Sequence, residues 1–443
     1  MFSKILFTLL PILATAFPGL HQSAPILNRQ TDPTLFPEYP GLPNHSLYTK
    51  FDPIAQRIST TGVHAWAPPG PNDIRGPCPG LNAAANHGYI SRSGVIGRND
   101  VFNGLKAAFN FDAGPAAVFY ALAVLFDGDP LTGRFSIGFH SKDTNGIPIL
   151  GSLLGNETGI CAYGHNHIEA DASMTRGDWL APSQNSNCAS YPEFGQQLLD
   201  LALLRNGPSG NITPRVLAEH ALNRRQHSIS TNPNYFSAPF AGLFINFGAH
   251  MLAYTILANH LAEHPRGYLS PESFMSLWSY SRDADGNLTY TYGHERIPDI
   301  YYKAAADDQW TVQDFLVSSA QRCLAWPESC QVGGNTGTVN SFAGVTLGDI
   351  SGGLVNAVED FQDPVKLGCF LAQAVKAETP GFLSNVFSGA LLSSALGLVT
   401  SLLNPALALL GDCPNLPAGR AVFEPNSVFP GARPQKSGKR NPF

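Results

Sequence analysis

Apolar residues recur with the 3.6-residue period of an α-helix, or run continuously over a helical length, in several parts of the chain. These stretches are residues 100–109, 116–126, 198–204, 216–226, 240–264 and 308–325. The stretch 240–264 is the longest, and it stops at Pro265 because proline cannot continue a helix. The pattern predicts a mainly α-helical chain.

Turn-forming residues predict long irregular loops between these helices. Residues 17–60 are rich in Pro, Asn, Ser and Thr and show little periodicity, so we expect an irregular N-terminal arm. Within the Gly-rich stretch 333–353, residues 333–337 lack the lysine of a phosphate-binding loop and are predicted to be a tight loop. The basic, Pro-rich tail 416–443 is expected to be disordered. The sequence contains no internal repeat.

Composition narrows the functional classes. With 443 residues, of which 44% are hydrophobic and 14% charged, the chain can bury a large core. The formal net charge of −6 provides no basic surface for a phosphate backbone, which excludes a nucleic-acid-binding protein. The expected partners are therefore small molecules.

The N-terminus has the pattern of a secretory signal. Lys4 precedes an apolar run, and Ala14-Thr15-Ala16 has the small-x-small form of a cleavage site, so residues 1–16 are predicted to be removed. Residues 386–403 are uncharged and long enough to span a bilayer, but their Ser, Thr and Gly content favours a packed helix over a membrane anchor. We predict a secreted, extracellular glycoprotein whose glycosylation sequons are Asn44, Asn156, Asn211 and Asn287.

The cysteine count is odd for a protein of an oxidising compartment. The chain has seven cysteines, so at least one is left without an intramolecular partner. If Cys78 is reserved as a metal ligand, six remain for three disulfides. Local spacing suggests Cys161–Cys188, Cys323–Cys330 and Cys369–Cys413, although the sequence alone leaves other pairings of six cysteines open.

Cys78 lies between two prolines, directly before a run with the composition of a helix, Leu-Asn-Ala-Ala-Ala-Asn. With Pro79 at the first helical position, Cys78 is predicted to be the N-cap residue. The free N–H groups and the dipole of the helix start then favour a thiolate, which is a metal ligand or a nucleophile. An ordinary half-cystine in a Pro-rich turn is the alternative.

Five polar residues crowd into the stretch 166–173: Asn166, His167, Glu169, Asp171 and Ser173. A carboxylate with a neighbouring hydroxyl and backbone carbonyl suits a hard cation such as Mg²⁺ or Mn²⁺. The alternative is the N-capped start of a helix. His165 and His167 have no third ligand at a suitable spacing and are predicted to be solvated loop histidines.

Three blocks of the sequence resemble the fungal haem-thiolate peroxidases, the family of chloroperoxidase and the unspecific peroxygenases. Pro77-Cys78-Pro79, continuing to Asn86-His87-Gly88-Tyr89, resembles the proximal segment of that family. Residues 169–176, Glu-Ala-Asp-Ala-Ser-Met-Thr-Arg, resemble its Glu-Xaa-Asp-Xaa-Ser signature, and residues 228–236 are similar to the segment before its distal helix. The resemblance implies a single-domain helical haem-thiolate peroxidase-like fold with its core over 61–270. Beyond residue 270, the sequence pattern alone predicts a C-terminal helical extension over 271–415.

The resemblance also implies the cofactors. Cys78 would be the axial ligand of the iron of haem b, and Glu169, the Ala170 carbonyl and Ser173 would bind Mg²⁺ or Mn²⁺ beside a haem propionate. The implied reaction uses hydrogen peroxide to oxidise or oxygenate a small hydrophobic organic substrate, or a halide.

The predicted distal side departs from the family. Family members use a Glu on the distal helix, partnered by a His of the second block or by an Arg of the same helix. Ala170 stands where that His is expected, and residues 235–259 contain neither carboxylate nor Arg. His250 is the one group in the middle of the helix that titrates near neutral pH, so it is the candidate acid–base. A core histidine is the alternative.

Phe240, Phe244, Phe247 and Met251 share one face of the predicted distal helix and line either the core or an apolar substrate pocket. The sequence thus predicts a secreted haem-thiolate peroxidase or peroxygenase. One alternative is a haem-binding family member with impaired peroxide activation. Another is a non-enzymatic, disulfide-bonded secreted glycoprotein, in which Cys78 forms a disulfide.

Overall fold

The computed structural model describes residues 50–129, 132–144, 158–162, 164–184 and 186–345, together with 360, 363, 366, 369 and 429–432. The predicted signal peptide, the apolar stretch 386–403, and most of the predicted arm and tail lie outside these residues.

The longest elements of the described chain are helices. They are α1 (Pro79–Asn86), α2 (Leu105–Phe109), α3 (Ala113–Asp127), α4 (Pro192–Asn206), α5 (Pro214–Thr231), α6 (Asn246–Thr255), α7 (Pro271–Leu277) and α8 (Val312–Ala325). Single π-helical turns precede α2 and α6, at Asp100–Gly104 and Ala241–Ile245. The structure confirms the helical part of the predicted fold class and adds short sheets to it.

Local chemistry explains where several helices begin. Proline occupies the start of α1, α4, α5 and α7, where its missing N–H costs no helical hydrogen bond. Thr213 and Ser270 cap α5 and α7 by accepting hydrogen bonds from the backbone N–H three residues on, at Val216 and Ser273. Thr311 and Asp314 form a capping box at the start of α8.

Every strand pairing is antiparallel among the described residues. The strands are β1 (Val95–Gly97), β2 (Gly128–Asp129), β3 (Arg134–Ser136), β4 (Phe236–Ser237), β5 (Tyr280–Arg282), β6 (Leu288–Tyr290), β7 (Val332–Asn335) and β8 (Phe342–Val345). They form the sheets β1-β3-β2 and β4-β7-β8 and the hairpin β5-β6, in which Tyr280 lies opposite Tyr290.

Two predicted elements differ from the structure. The helix predicted over 240–264 ends at Thr255, because the ring of His260 hydrogen-bonds the Thr255 carbonyl at 3.2 Å and the chain turns away there. Of the residues predicted to be a tight loop, 333–335 belong to β7 instead, while 336 and 337 lie in the turn between β7 and β8. A Cβ at Gly333 would collide with the Ala343 carbonyl, so glycine lets the two strands approach each other closely.

The main hydrophobic core joins residues from Ile58 to Tyr301 and includes α1, α3, α4, the start of α5 and the C-terminal half of α6. A second cluster packs α8 against β4 and β7 through Phe236, Ala320 and Val332. Among the described residues, no helix has the length and apolar composition needed to cross a membrane.

The structure confirms two predicted disulfides, Cys161–Cys188 and Cys323–Cys330. Cys369 is also disulfide-bonded, and its predicted partner Cys413 lies outside the described residues. Of the four sequons, Asn44 and Asn156 lie outside them as well, Asn287 is exposed, and Asn211 is partly buried with its side-chain oxygen accepting from the Leu269 N–H. Glycosylation stays a prediction.

Candidate active site

Cys78 is the N-cap residue of α1, as the sequence predicts, and it is the free cysteine of the described chain. The alternative of a half-cystine is therefore wrong. Its side chain is exposed to solvent, whereas the helix behind it is buried from Gly80 to Asn86. The thiol is thus accessible while its backbone is fixed in the core.

Burial raises the pKa of the Cys78 thiol, because protein atoms around the sulfur disfavour the charged thiolate. Water can reach the sulfur, but desolvation by the surrounding protein atoms is still the largest effect on its pKa. The N–H groups of Leu81 and Gly80 lower the pKa, although neither closes a capping hydrogen bond. The helix start therefore acts in the expected direction on the pKa of Cys78, and desolvation of the sulfur acts against it.

Asn82 holds the loop that carries Cys78. Its side-chain oxygen accepts from the Gly76 N–H and its amide donates to the Gly76 carbonyl, both at 2.9 Å. A Cβ at Gly76 would collide with the Ile137 carbonyl, so this position requires glycine. The backbone at Gly76 is therefore held by the side chain of Asn82 and packs closely against the backbone of Ile137.

Arg176 connects the second sequence block to the same loop. Its Nε donates to the Pro77 carbonyl at 2.9 Å, and its Nη2 forms an ion pair with Glu295 at 3.0 Å. Its Nη1 donates to the Tyr290 hydroxyl at 2.7 Å. Both charged side chains of the pair are almost completely buried. The guanidinium also lowers the pKa of Cys78, whereas the Glu295 carboxylate raises it.

The second block is irregular, with Ala172 at a positive φ of 58°, and forms no helix, so the alternative of an N-capped helix start is wrong. Glu169 is buried, and its Oε2 accepts from Asn187 Nδ2 at 2.9 Å and contacts His165 Nδ1 at 2.6 Å. Its Oε1 is buried without a hydrogen-bond partner. Ser173 is partly buried, and its carbonyl accepts from Arg224 Nε at 3.1 Å.

The two histidines of this region are buried, so the prediction that they are solvated is wrong. His165 stacks on Trp179 with ring centroids 5.0 Å apart, and His167 stacks on Phe126 at 4.4 Å. The described residues contain no group of three or more His, Cys, Asp or Glu side chains arranged to hold a metal. These histidines are held by stacking and by hydrogen bonds within the loop.

His250 lies in α6 and is buried. Its Nδ1 donates to the Asn246 carbonyl at 2.7 Å, and its Nε2 is buried without a hydrogen-bond partner. Burial, together with the smaller effect of the nearby Arg322 guanidinium, lowers its pKa to about 3. The imidazole is therefore neutral near pH 7, with a lone pair on Nε2.

The accessible face of α6 and its π-turn is apolar. Its apolar residues are Ile245, Ala249, Leu252 and the C-cap residue Ile256. Ala249 is exposed, and the other three are half-buried and, like Phe244, pack against the main core. Three of the four aromatic and Met positions singled out in the sequence, Phe240, Phe247 and Met251, are buried, and Phe244 packs on the core. The core interpretation of that stripe is therefore the one that the structure supports.

The three sequence blocks contact one another. Arg176 joins the second block to the first, at Pro77. Asp171 and Asp178 accept from the third block, through the Phe236 N–H at 3.3 Å and Asn232 Nδ2 at 3.2 Å. Asn246 of α6 donates to the Asp171 and Ala172 carbonyls. Sequence reasoning missed the roles of Arg176, Asn82 and Glu295. For Arg176, its position inside the second block was the feature of the sequence that could have indicated a role in the site.

The chain is similar to several known proteins. The family model described as peroxidase, family 2, matches residues 64–306. The dothistromin biosynthesis peroxidase dotB of Dothistroma septosporum is 35% identical over 94% of both chains. The aromatic peroxidase fscJ of Fusarium equiseti is 33% identical over 88% of both chains. An aromatic peroxygenase of Cyclocybe aegerita is 32% identical over 76% of this chain and 82% of its own.

Proposed function

Because the chain belongs to peroxidase family 2, the fungal haem-thiolate peroxidases, and is therefore an H₂O₂-dependent oxidoreductase, we propose that Cys78 is its axial haem ligand and that its substrate is a small hydrophobic organic molecule. The observation that carries this proposal is the free, accessible thiol of Cys78 at the start of a buried helix.

The residues around Cys78 fit a haem of the b type. A haem held by a Cys thiolate supplies an electron-rich iron that favours cleavage of the O–O bond of peroxide. The thiol must lose its proton to bind, and a metal ion removes such a proton outright. Gly80, Leu81 and Arg176 act on the sulfur in the direction that stabilises the resulting negative charge.

His250 is our candidate for the group that moves the peroxide proton. Its neutral Nε2 has a free lone pair and can accept a proton. A pKa of about 3 makes it a weak base, whereas the best acid–base catalysts have a pKa near the working pH. The same pKa favours the second candidate function, a haem-binding family member that activates peroxide slowly.

The proposed substrate class rests on the apolar face of α6 and on relatives whose names contain the word aromatic. We propose that Ile245, Ala249, Leu252 and Ile256 form a wall of the substrate site, since apolar side chains that remain accessible are typical of ligand pockets. For the reaction at this site, we propose halide oxidation and oxygen insertion into an organic substrate as the two alternatives. We also propose secretion, in agreement with the disulfides of the structure.

The cation set Glu169, Ala170 and Ser173 for Mg²⁺ or Mn²⁺ stays a prediction. Its support in the described residues is the buried, unpartnered Oε1 of Glu169.

The experiment is the absorption spectrum of the secreted protein, reduced and exposed to CO, for the wild type and Cys78→Ala side by side. We expect a strongly red-shifted Soret band in the wild type and its loss in the variant. Peroxide-dependent oxidation of an aromatic compound and of bromide should then be measured on the same samples. A wild type without a Soret band after growth with haem would contradict the proposal.

A further inference from the structure

Glu295 lies beside the loop that carries Cys78, although the two residues are far apart in the sequence. Its side chain is completely buried, and its Oε1 forms the ion pair with Arg176 Nη2 at 3.0 Å. Arg176 in turn donates from Nε to the Pro77 carbonyl at 2.9 Å. One guanidinium therefore joins the Glu295 carboxylate to the residue directly before the thiol.

The backbone of Glu295 is fixed to the helix that Cys78 caps. Its carbonyl accepts from Asn86 Nδ2 at 2.8 Å and from Trp66 Nε1 at 3.2 Å. Asn86 is the last residue of α1, and the same Nδ2 also donates to the Gly293 carbonyl at 2.8 Å. The carboxylate is therefore held near Cys78 by two independent connections, the ion pair and α1.

Stability alone does not explain this ion pair. A buried ion pair contributes little net stability compared with apolar side chains of the same volume. The second carboxylate oxygen of Glu295, Oε2, is buried without a hydrogen-bond partner, which costs further free energy. Both charges act on the Cys78 sulfur, where the Arg176 guanidinium favours a negative charge and the Glu295 carboxylate opposes it. The pair therefore balances charge beside the sulfur.

We propose that Glu295 is a positioning residue for Cys78, which offsets the positive charge of Arg176 and thereby sets the reduction potential of the iron that Cys78 would bind. The inference rests on the proposed function, in which Cys78 is the axial haem ligand. The surroundings of the axial ligand are one of the means by which a protein controls this potential. Reduction of ferric to ferrous iron adds one negative charge, so a nearby carboxylate lowers the potential and a nearby guanidinium raises it.

The test is a spectroelectrochemical titration of the full-length protein with its haem, in which an electrode supplies one electron per iron. Glu295→Gln should raise the potential, and Arg176→Met should lower it. Each change should shift the ferric–ferrous equilibrium about tenfold, which is about 59 mV for a one-electron couple. The double variant loses both charges, and its potential should lie close to that of the wild type. Glu219→Gln is the control, because Glu219 is also buried but pairs with Arg205 and Arg215.

Two results would show that the pair is only structural and would overturn the proposal. One is a shift of both single variants in the same direction, and the other is a double variant that differs from the wild type more than either single variant does. If one single variant does not fold, the sign of the shift in the other still decides. The double variant provides a further check, since it leaves neither charge of the pair unpaired.

The Soret band of the CO complex separates this proposal from the proposed function. The band should stay red-shifted in the double variant, because Cys78 remains the ligand; its loss there would mean that the pair holds Cys78 in place and does not set the potential. A wild type without the band would overturn the proposed function as well. A wild type with the band and the same potential in every variant would overturn only the role of Glu295.

Discussion

The Nε of Arg176 donates to the carbonyl of Pro77 at 2.9 Å, so the second sequence block holds the backbone directly before the Cys78 thiol. The same guanidinium is paired with buried Glu295, which prevents it from turning away. Arg176 therefore positions Cys78 and stabilises a negative charge on its sulfur.

Replacing Arg176 by Met should raise the pKa of Cys78, because a nearby positive charge favours the thiolate. The measurement is the pH dependence of iodoacetamide labelling of Cys78 in protein prepared without haem. Arg176→Lys keeps the positive charge, so the pKa of Cys78 in this variant should stay close to that of the wild type. Arg296→Met is the control, since Arg296 is not among the groups that shift this pKa. An unchanged labelling profile in Arg176→Met would show that the arginine is only structural.

Asn82→Ala should destabilise the protein by about 2–4 kcal/mol, because two hydrogen bonds to buried Gly76 are lost and both backbone groups stay unsatisfied. The free energy of unfolding in urea measures the effect. Asn103→Ala, an exposed asparagine, should change it by less than about 0.5 kcal/mol. Equal stabilities for the two variants would be evidence against the role given to Asn82.

His250→Ala should reduce peroxide-dependent turnover about 10²- to 10⁴-fold, the usual contribution of a general acid–base, while leaving the Soret band of the CO complex in place. His250→Gln keeps a donor to the Asn246 carbonyl and separates the structural role from the chemical one. Turnover within about twofold of the wild type in both variants would identify His250 as a core histidine.

Although Asp171, whose pKa is raised to about 7, acts in the opposite direction, His220 and His250 should each lower the stability of the folded protein as the pH drops below about 6.5, because both have a pKa of about 3 in the folded protein. Below their ordinary pKa of 6.5, the unfolded chain binds protons that the folded chain does not, until the pH approaches about 3. Each imidazole contributes a slope of about 1.4 kcal/mol per pH unit in that window. Urea unfolding between pH 7.5 and 5 measures how steeply the free energy of unfolding depends on pH. In His250→Gln this slope should be smaller by the contribution of one imidazole.

Ala249→Phe should lower kcat/KM for bulky aromatic substrates by about tenfold or more, since a large ring at the exposed position of the apolar α6 face fills space that a substrate would use. Leu203→Phe, at an exposed position on α4, is the control. The CO spectrum should be unchanged in both variants. Equal kcat/KM values would place the substrate elsewhere.

Local patterns were sufficient for several features of this protein. Cys78 as the N-cap of α1 follows from the neighbouring prolines and the Ala-rich run, and α3 follows from its apolar run. The Cys161–Cys188 and Cys323–Cys330 disulfides join cysteines only 27 and 7 residues apart. Each of these features depends on residues close together in the chain.

Long-range packing decided the rest. Arg176 contacts Pro77 and Glu295 across 99 and 119 residues, and no periodicity indicates such a pair. The end of α6 at Thr255 depends on a ring that returns from residue 260. The pKa values of His250 and Cys78 follow from burial, which exists only once the helices have packed. The sequence by itself determined which residues could carry the chemistry, and only the tertiary structure decided their charge and their neighbours, because desolvation and Coulomb interactions act through space.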